Sequence, residues 1–206
     1  MLTVSVGKKM VNKVTNSGRR QFLTVATSAV AAAGAVGIAV PFIGSWNPSA
    51  KAKAAGAPVK FDSSKMEPGQ LVRVEWRGQP VFVIRRTQEQ IDDLASLDDS
   101  LKDPNSLISK QPSYVDAMNR ALKSEFLVLV GLCTHLGCSP KYIKKLDSAA
   151  PDTAWKGGFF CACHGSKFDM AGRVYKGVPA SENLVVPPYS YESGSIMVIG
   201  IDGDTA

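Results

Sequence analysis

Cys133-Thr134-His135-Leu136-Gly137-Cys138 and Cys161-Ala162-Cys163-His164-Gly165-Ser166 hold all four cysteines and both histidines of a 206-residue chain. Thiolate and imidazole are the side chains best suited to thiophilic transition metals, so two boxes that collect every copy of both point to a metal or cluster site. Gly137 and Gly165 let the backbone approach a ligand closely. Cys133 and His135 from the first box, with Cys161 and His164 from the second, form one candidate ligand set. Zinc accepts two cysteines and two histidines, but the single-residue gap in Cys133-x-His135 is not zinc-finger spacing, and that set leaves Cys138 and Cys163 without a role. A cluster on all four cysteines would instead orphan both histidines.

Working outward, Phe126-Leu127-Val128-Leu129-Val130 reads as a buried strand entering the first box, and Gly157-Gly158-Phe159-Phe160 as one entering the second. Leu71-Val72-Arg73-Val74-Glu75-Trp76 alternates apolar with polar, then turns through Arg77-Gly78-Gln79-Pro80 into Val81-Phe82-Val83-Ile84, a hairpin. Thr87 with Gln90 matches a capping box opening a helix through about Leu97. Asp169 to Arg173 reads as a turn and Gly177-Val178-Pro179-Ala180 as a tight loop. Leu184-Val185-Val186 is expected as a strand, as are Tyr189-Ser190-Tyr191-Glu192 and Ile196-Met197-Val198-Ile199 around a Ser193-Gly194 turn. Many short strands between turns predict an all-β fold, an antiparallel β-sandwich.

The formal charge of +6 is not spread along the chain. Residues 1–20 carry Lys8, Lys9, Lys13, Arg19 and Arg20 without an acid, and residues 21–60 add only Lys51, Lys53 and Lys60. Taking these eight cations from +6 leaves residues 61–206 at −2. A basic N-terminus on an acidic body argues for a membrane and against nucleic acid. No charge occurs from Gln21 to Ala50, and about 20 apolar residues span a bilayer. The positive-inside rule then puts residues 1–20 in the cytoplasm, a transmembrane anchor at 21–46, and the rest outside. Residues 47–59, rich in Ala with Gly and Pro, read as a flexible hinge, and 60–206 as the outer domain. Ser17-Gly18-Arg19-Arg20-Gln21-Phe22-Leu23 resembles a twin-arginine export signal, which is bacterial. The apolar run exceeds a usual cleavable segment, so a retained anchor is expected.

The pair C-T-H-L-G-C and C-x-C-H-G-S resembles the signature of the Rieske iron–sulfur proteins of quinol–cytochrome c reductases, the cytochrome bc complexes. The resemblance takes in the twin-arginine start, anchor, hinge, hairpin, both boxes and the Gly177-Val178-Pro179 loop. It implies a Rieske β domain with an inserted cluster-binding subdomain, about residues 127–180, holding one [2Fe-2S] cluster. By position, Cys133 and Cys161 would bind one iron, His135 and His164 the other, and Cys138 and Cys163 would form a disulfide. The extra cysteine pair separates this signature from Rieske ferredoxins and ring-hydroxylating dioxygenases.

Further implications concern chemistry and partners. Two neutral imidazoles in place of thiolates raise the cluster potential and provide a titratable ligand. His164, with His135 also exposed at the tip, would hydrogen-bond ubiquinol and accept its proton, with Leu136 in the apolar surface around them. Ser166 matches a serine donating to a bridging sulfide. Phe168 stands where many relatives have a tyrosine donating to a cysteine sulfur, and Ala162 replaces a frequent proline. The implied partners are a cytochrome b subunit, a c-type cytochrome subunit and ubiquinol, in a dimeric complex of the bacterial inner membrane with the Rieske domain periplasmic. A cleaved, soluble Rieske subunit of a periplasmic oxidase and a zinc-bound module are the competing readings.

Overall fold

The computed structural model describes residues 16–202, so Lys8, Lys9 and Lys13 of the expected cytoplasmic segment lie outside it. The chain divides into two units. The first contains helix α1, Ser17–Ser45, which begins four residues before the expected anchor and runs through Pro41. Asn16 caps it, its side-chain oxygen accepting from the Arg19 N–H at 3.3 Å. Thr24 and Thr27 turn their hydroxyls back to the Arg20 and Leu23 carbonyls, which satisfies both groups within the helix. None of its residues is buried, although Phe22, Val30, Ile38 and Phe42 are large and apolar. It is long and apolar enough to cross a membrane.

The second unit opens with α2, Ala50–Ala55, inside the segment expected as a hinge. Six Ala and Lys residues have the strongest helix propensity and no face to bury, so a helix forms here without apolar periodicity. Gly56 ends it, its N–H reaching the Ala52 carbonyl.

Among the described residues nine strands follow: β1 Val59–Asp62, β2 Leu71–Trp76, β3 Gln79–Arg85, β4 Phe126–Val130, β5 Lys141–Ile143, β6 Gly158–Cys161, β7 Ser166–Phe168, β8 Tyr189–Tyr191 and β9 Ile196–Ile199. They form three antiparallel sheets ordered β1-β9-β8, β2-β3-β4 and β5-β6-β7. The first draws strands from both ends of the domain, the second is built from consecutive strands, and the third is inserted in sequence between β4 and β8. Phe82 of β3 stacks on Phe159 of β6 with centroids 5.9 Å apart, which joins the second sheet to the third.

The β2–β3 hairpin is tighter than its sequence suggested. Its turn is Arg77-Gly78 alone, with φ of 54° and 69°, and Trp76 pairs with Gln79. Two positive φ values match the right-handed twist of the strands. Pro80 therefore lies inside β3, near its start, where a missing N–H is tolerated. Its carbonyl accepts from Gly131 at 2.7 Å, just before the first box. The Thr87–Gln90 capping box is present and opens helix α3, Gln88–Asp92, which passes into a 3-10 helix, Asp93–Ser100.

Leu184-Val185-Val186 is not a strand. Leu184 N–H donates to Gly172, Val185 accepts from Val130, and Val186 N–H donates to Lys110. Three partners on three segments leave no ladder, and Pro187 and Pro188 follow directly. The segment is a buried, irregular brace instead.

Three arginines are almost wholly buried around the Asp169–Arg173 turn. Arg86 Nη1 donates to the Met170 carbonyl at 3.1 Å, and Arg120 Nη1 to those of Ala171 and Gly172 at 3.2 and 3.3 Å. Arg173 Nε donates to Asp169 Oδ2 at 2.8 Å. Burial pulls Arg86 and Arg120 down to about 10 against the attraction of Asp169, which holds them charged near neutral pH. This turn directly follows β7 and anchors the inserted sheet to the rest of the core.

Candidate metal centre

Strand β4 delivers the chain to the first box, and β6 and β7 flank the second. The two loops share one backbone device. Gly137 N–H donates to the Cys133 carbonyl and Gly165 N–H to the Cys161 carbonyl, each at 2.9 Å. Both glycines have positive φ, 80° and 77°, which an L side chain resists. Each cysteine thus begins a five-residue turn closed by a glycine. The histidine stands two residues into the first and three into the second. The first loop is further fixed by Cys133 N–H to Cys138 O at 2.8 Å and by the Thr134 hydroxyl to Glu182 O at 2.6 Å.

The six chemistry-bearing residues meet in one place. Cys133 and Cys161 are buried, free thiols. Cys138 and Cys163 form a disulfide that joins the loops, and the sulfurs of Cys138, Cys161 and Cys163 lie within 4.8 Å of one another. Two of those three sulfurs are bonded together, so that trio is not itself a ligand set. The His135 and His164 rings meet edge to face with centroids 4.7 Å apart. His164 and Leu136 are exposed, Leu136 to 71 %. His135 is half-buried rather than exposed, and its Nδ1 is buried with no hydrogen-bond partner.

Electrostatics favours a cation here. Burial pushes the Cys133 thiol up; a hydrogen bond from the His135 backbone pulls it down, neighbouring Cys161 raises it, and Ser166 lowers it. Positive charge beside the Cys133 sulfur offsets that burial and favours its thiolate. An orphaned imidazole nitrogen next to them is a vacant ligand atom, since buried polar groups otherwise find partners. Two thiols and two imidazoles therefore fit an iron–sulfur cluster better than they fit a dry core.

Ser166 is fully buried at the start of β7, and its Oγ accepts from Ala180 N–H at 3.0 Å. That bond brings the 177–180 loop against the boxes. Phe168 is also fully buried, paired across the sheet with Phe159. Sequence reading missed two residues that shape the site. Thr134 lies within a box and carried a hydroxyl signal. Lys102, which holds the 177–180 loop, carried none, because a surface lysine 31 residues before Cys133 announces no contact.

Known proteins resemble this chain over most of its length. The Rieske [2Fe-2S] domain family matches residues 58–190, and the ubiquitinol-cytochrome C reductase Fe-S subunit TAT signal family matches residues 11–49. The chain is 50 % identical over 191 residues to the ubiquinol-cytochrome c reductase iron-sulfur subunit of Allochromatium vinosum, covering 93 % of this chain and 92 % of that one. Identity to the same subunit of Blastochloris viridis is 44 % over 182 residues, covering 88 % and 92 %. A chain of a hyperthermophilic respiratory Complex III aligns at 25 % identity with a TM-score of 0.44, covering 84 % of this chain and 98 % of that chain. With a Rieske [2Fe-2S] domain behind an export-signal helix, the chain belongs to the family of ubiquinol–cytochrome c reductase iron–sulfur subunits.

Proposed function

We propose that this chain is the electron-transfer subunit of a cytochrome bc complex, taking one electron from ubiquinol and passing it to a c-type cytochrome subunit. Cys133 and Cys161 would hold one iron of its cluster, and His135 and His164 would hold the other. The observation that carries this reading is the pairing of two imidazoles, 4.7 Å apart, with two buried thiols beside a loop-to-loop disulfide. When bound, a Rieske cluster supplies a one-electron acceptor of raised potential and acidifies its imidazole ligands.

The residues of the chain do the rest. His164, exposed on its loop, hydrogen-bonds the quinol hydroxyl and accepts its proton. His135 is the less accessible of the two and serves as the second imidazole ligand. Leu136 presents apolar surface to cytochrome b around the quinol. Arg19 and Arg20 in the first turn of α1 keep the N-terminus cytoplasmic, so the domain faces the periplasm. Residues 47–59 carry the domain between its two partners in a dimeric complex.

Electron paramagnetic resonance of reduced membranes, with and without a quinol-site inhibitor, tests the whole reading. A Rieske-type signal whose lineshape changes with inhibitor is expected. A zinc-only protein, or a signal indifferent to inhibitor, would contradict it.

The potential has its own test. Phe168 fills its position but donates nothing, and hydrogen bonds to cluster sulfurs raise electron affinity. Phe168→Tyr is expected to raise the midpoint potential, by about tenfold in electron affinity for one hydrogen bond to a charged group. An unchanged or lower midpoint in redox titration refutes the assignment.

A further inference from the structure

The Gly177-Val178-Pro179-Ala180 loop is the third segment packed against the boxes, and it is held from two sides. Ala180 is fully buried and gives its N–H to Ser166 Oγ. Its carbonyl and that of Val178 share a single donor: Lys102 Nζ lies 2.7 Å from Ala180 O and 2.8 Å from Val178 O.

The lysine is itself fixed to the same stretch of chain. Lys102 N–H donates to Val174 O at 2.9 Å, Lys176 N–H donates to Ser100 O at 2.8 Å, and Leu101 bridges Tyr175. Farther along, Asn183 is pinned by Asp103 O at 2.9 Å and Ser109 Oγ at 3.1 Å, while its own side chain accepts from Val174 N–H at 2.8 Å. Residues 100–109 therefore brace 174–183 at both ends, and one ammonium group holds the middle.

We propose that Lys102 is a positioning residue for the cluster site, acting through the 177–180 loop on the orientation of the Ser166 hydroxyl. A serine hydroxyl has one proton and two lone pairs. When Ala180 N–H occupies one lone pair, the proton is directed away from that donor, and the Cys133 thiol lies close enough to the Ser166 side chain to feel it. A hydrogen bond donated toward the cluster stabilises its reduced form and raises its potential. Without Lys102 the two carbonyls lose their shared donor, the loop gains freedom, and the hydroxyl is no longer held to one rotamer. The inference rests on the ligand set proposed above.

A four-member cycle in the full chain, assembled in its membrane, tests the idea by redox titration of the cluster signal. Midpoint potential is read from the loaded fraction, so a variant with reduced cluster content still reports. Ser166→Ala alone is expected to lower electron affinity about tenfold, as loss of one hydrogen bond to a charged group. Lys102→Met alone should lower it about threefold, because part of the Ser166 bond survives in the mobile loop. Lys102→Arg, which keeps donors for both carbonyls, should restore it. In the Ser166→Ala background, Lys102→Met should change nothing further, since the two residues act as one unit. An equal shift in both backgrounds would mean simple loss of a nearby charge and would overturn the proposal, as would no shift in Lys102→Met. If Ser166→Ala itself leaves the midpoint unmoved, the proposal falls, while the resonance signal still reports on the ligand set independently.

Discussion

His135→Leu should abolish the Rieske signal and visible absorption of the subunit, and with them quinol oxidation, while the folded domain persists. Loss of groups that merely support metal ligands costs about 10–100-fold in affinity or activity, so loss of a ligand should cost at least 10²-fold. The informative half of the result is stability. In the chain without its cluster, His135 Nδ1 is a buried nitrogen with no partner. Leucine removes that unsatisfied atom and keeps most of the volume, so the apo-domain should be no less stable than the unsubstituted apo-domain. A destabilised apo-domain would mean that His135 has a structural partner and is not waiting for a metal. The paired change Cys138→Ala with Cys163→Ala gives the contrast. It spares the proposed ligands but removes a cross-link spanning 25 residues, worth about 3.5 kcal/mol in the chain-entropy model. Partial cluster retention with a lowered unfolding midpoint is expected there, not complete loss.

Asp169→Asn should be the most destabilising conservative substitution in the turn that follows the second box, costing about 3–5 kcal/mol. Asp169 and Arg173 side chains are both fully buried and meet at 2.8 Å. The other Asp169 oxygen accepts from the N–H groups of Ala171 and Arg173, at 2.9 and 2.8 Å. The same carboxylate also draws Arg86 and Arg120, so one buried anion is shared among three interior cations. Asparagine keeps the shape and one acceptor but removes the charge, taking from the buried guanidinium groups the one fully buried carboxylate that they share. Asp98→Asn breaks the other Arg173 ion pair, at 2.8 Å, but Asp98 is 41 % exposed and that partner is solvated. Its cost should stay within about 1 kcal/mol. Urea unfolding of the two variants, with slopes compared, checks the difference. Equal midpoints would show that the buried charge network does not anchor the inserted sheet.

The strands that sequence marked well are the ones whose pattern is set locally. Phe126–Val130 is a strand over the expected residues because five consecutive apolar side chains can be buried only from both faces. The Thr87 capping box is equally local: its two reciprocal bonds close within four residues. Failures occur where a segment answers to distant partners. Leu184-Val185-Val186 has strand composition, yet its hydrogen bonds go to three different segments. Lys141–Ile143 and Ser166–Phe168 are strands of three residues, too short to show a period, and exist because Gly158–Cys161 lies between them. The Ala50–Ala55 helix sits where a flexible tether was expected, since Ala and Lys favour a helix without leaving an apolar period in the sequence.

The sequence by itself determined the chemistry: all cysteines and histidines in two boxes, an apolar helix behind a basic start, and a β domain to carry the boxes. Those properties follow from residue type and short spacing, which need no partner. Only the tertiary structure decided how the boxes become one site. It brought the two imidazoles to 4.7 Å, left Nδ1 of His135 unpartnered and His164 open, and set a distant lysine to hold the loop behind Ser166. Such contacts join residues tens of positions apart, and their energy comes from burial and geometry that no local pattern encodes.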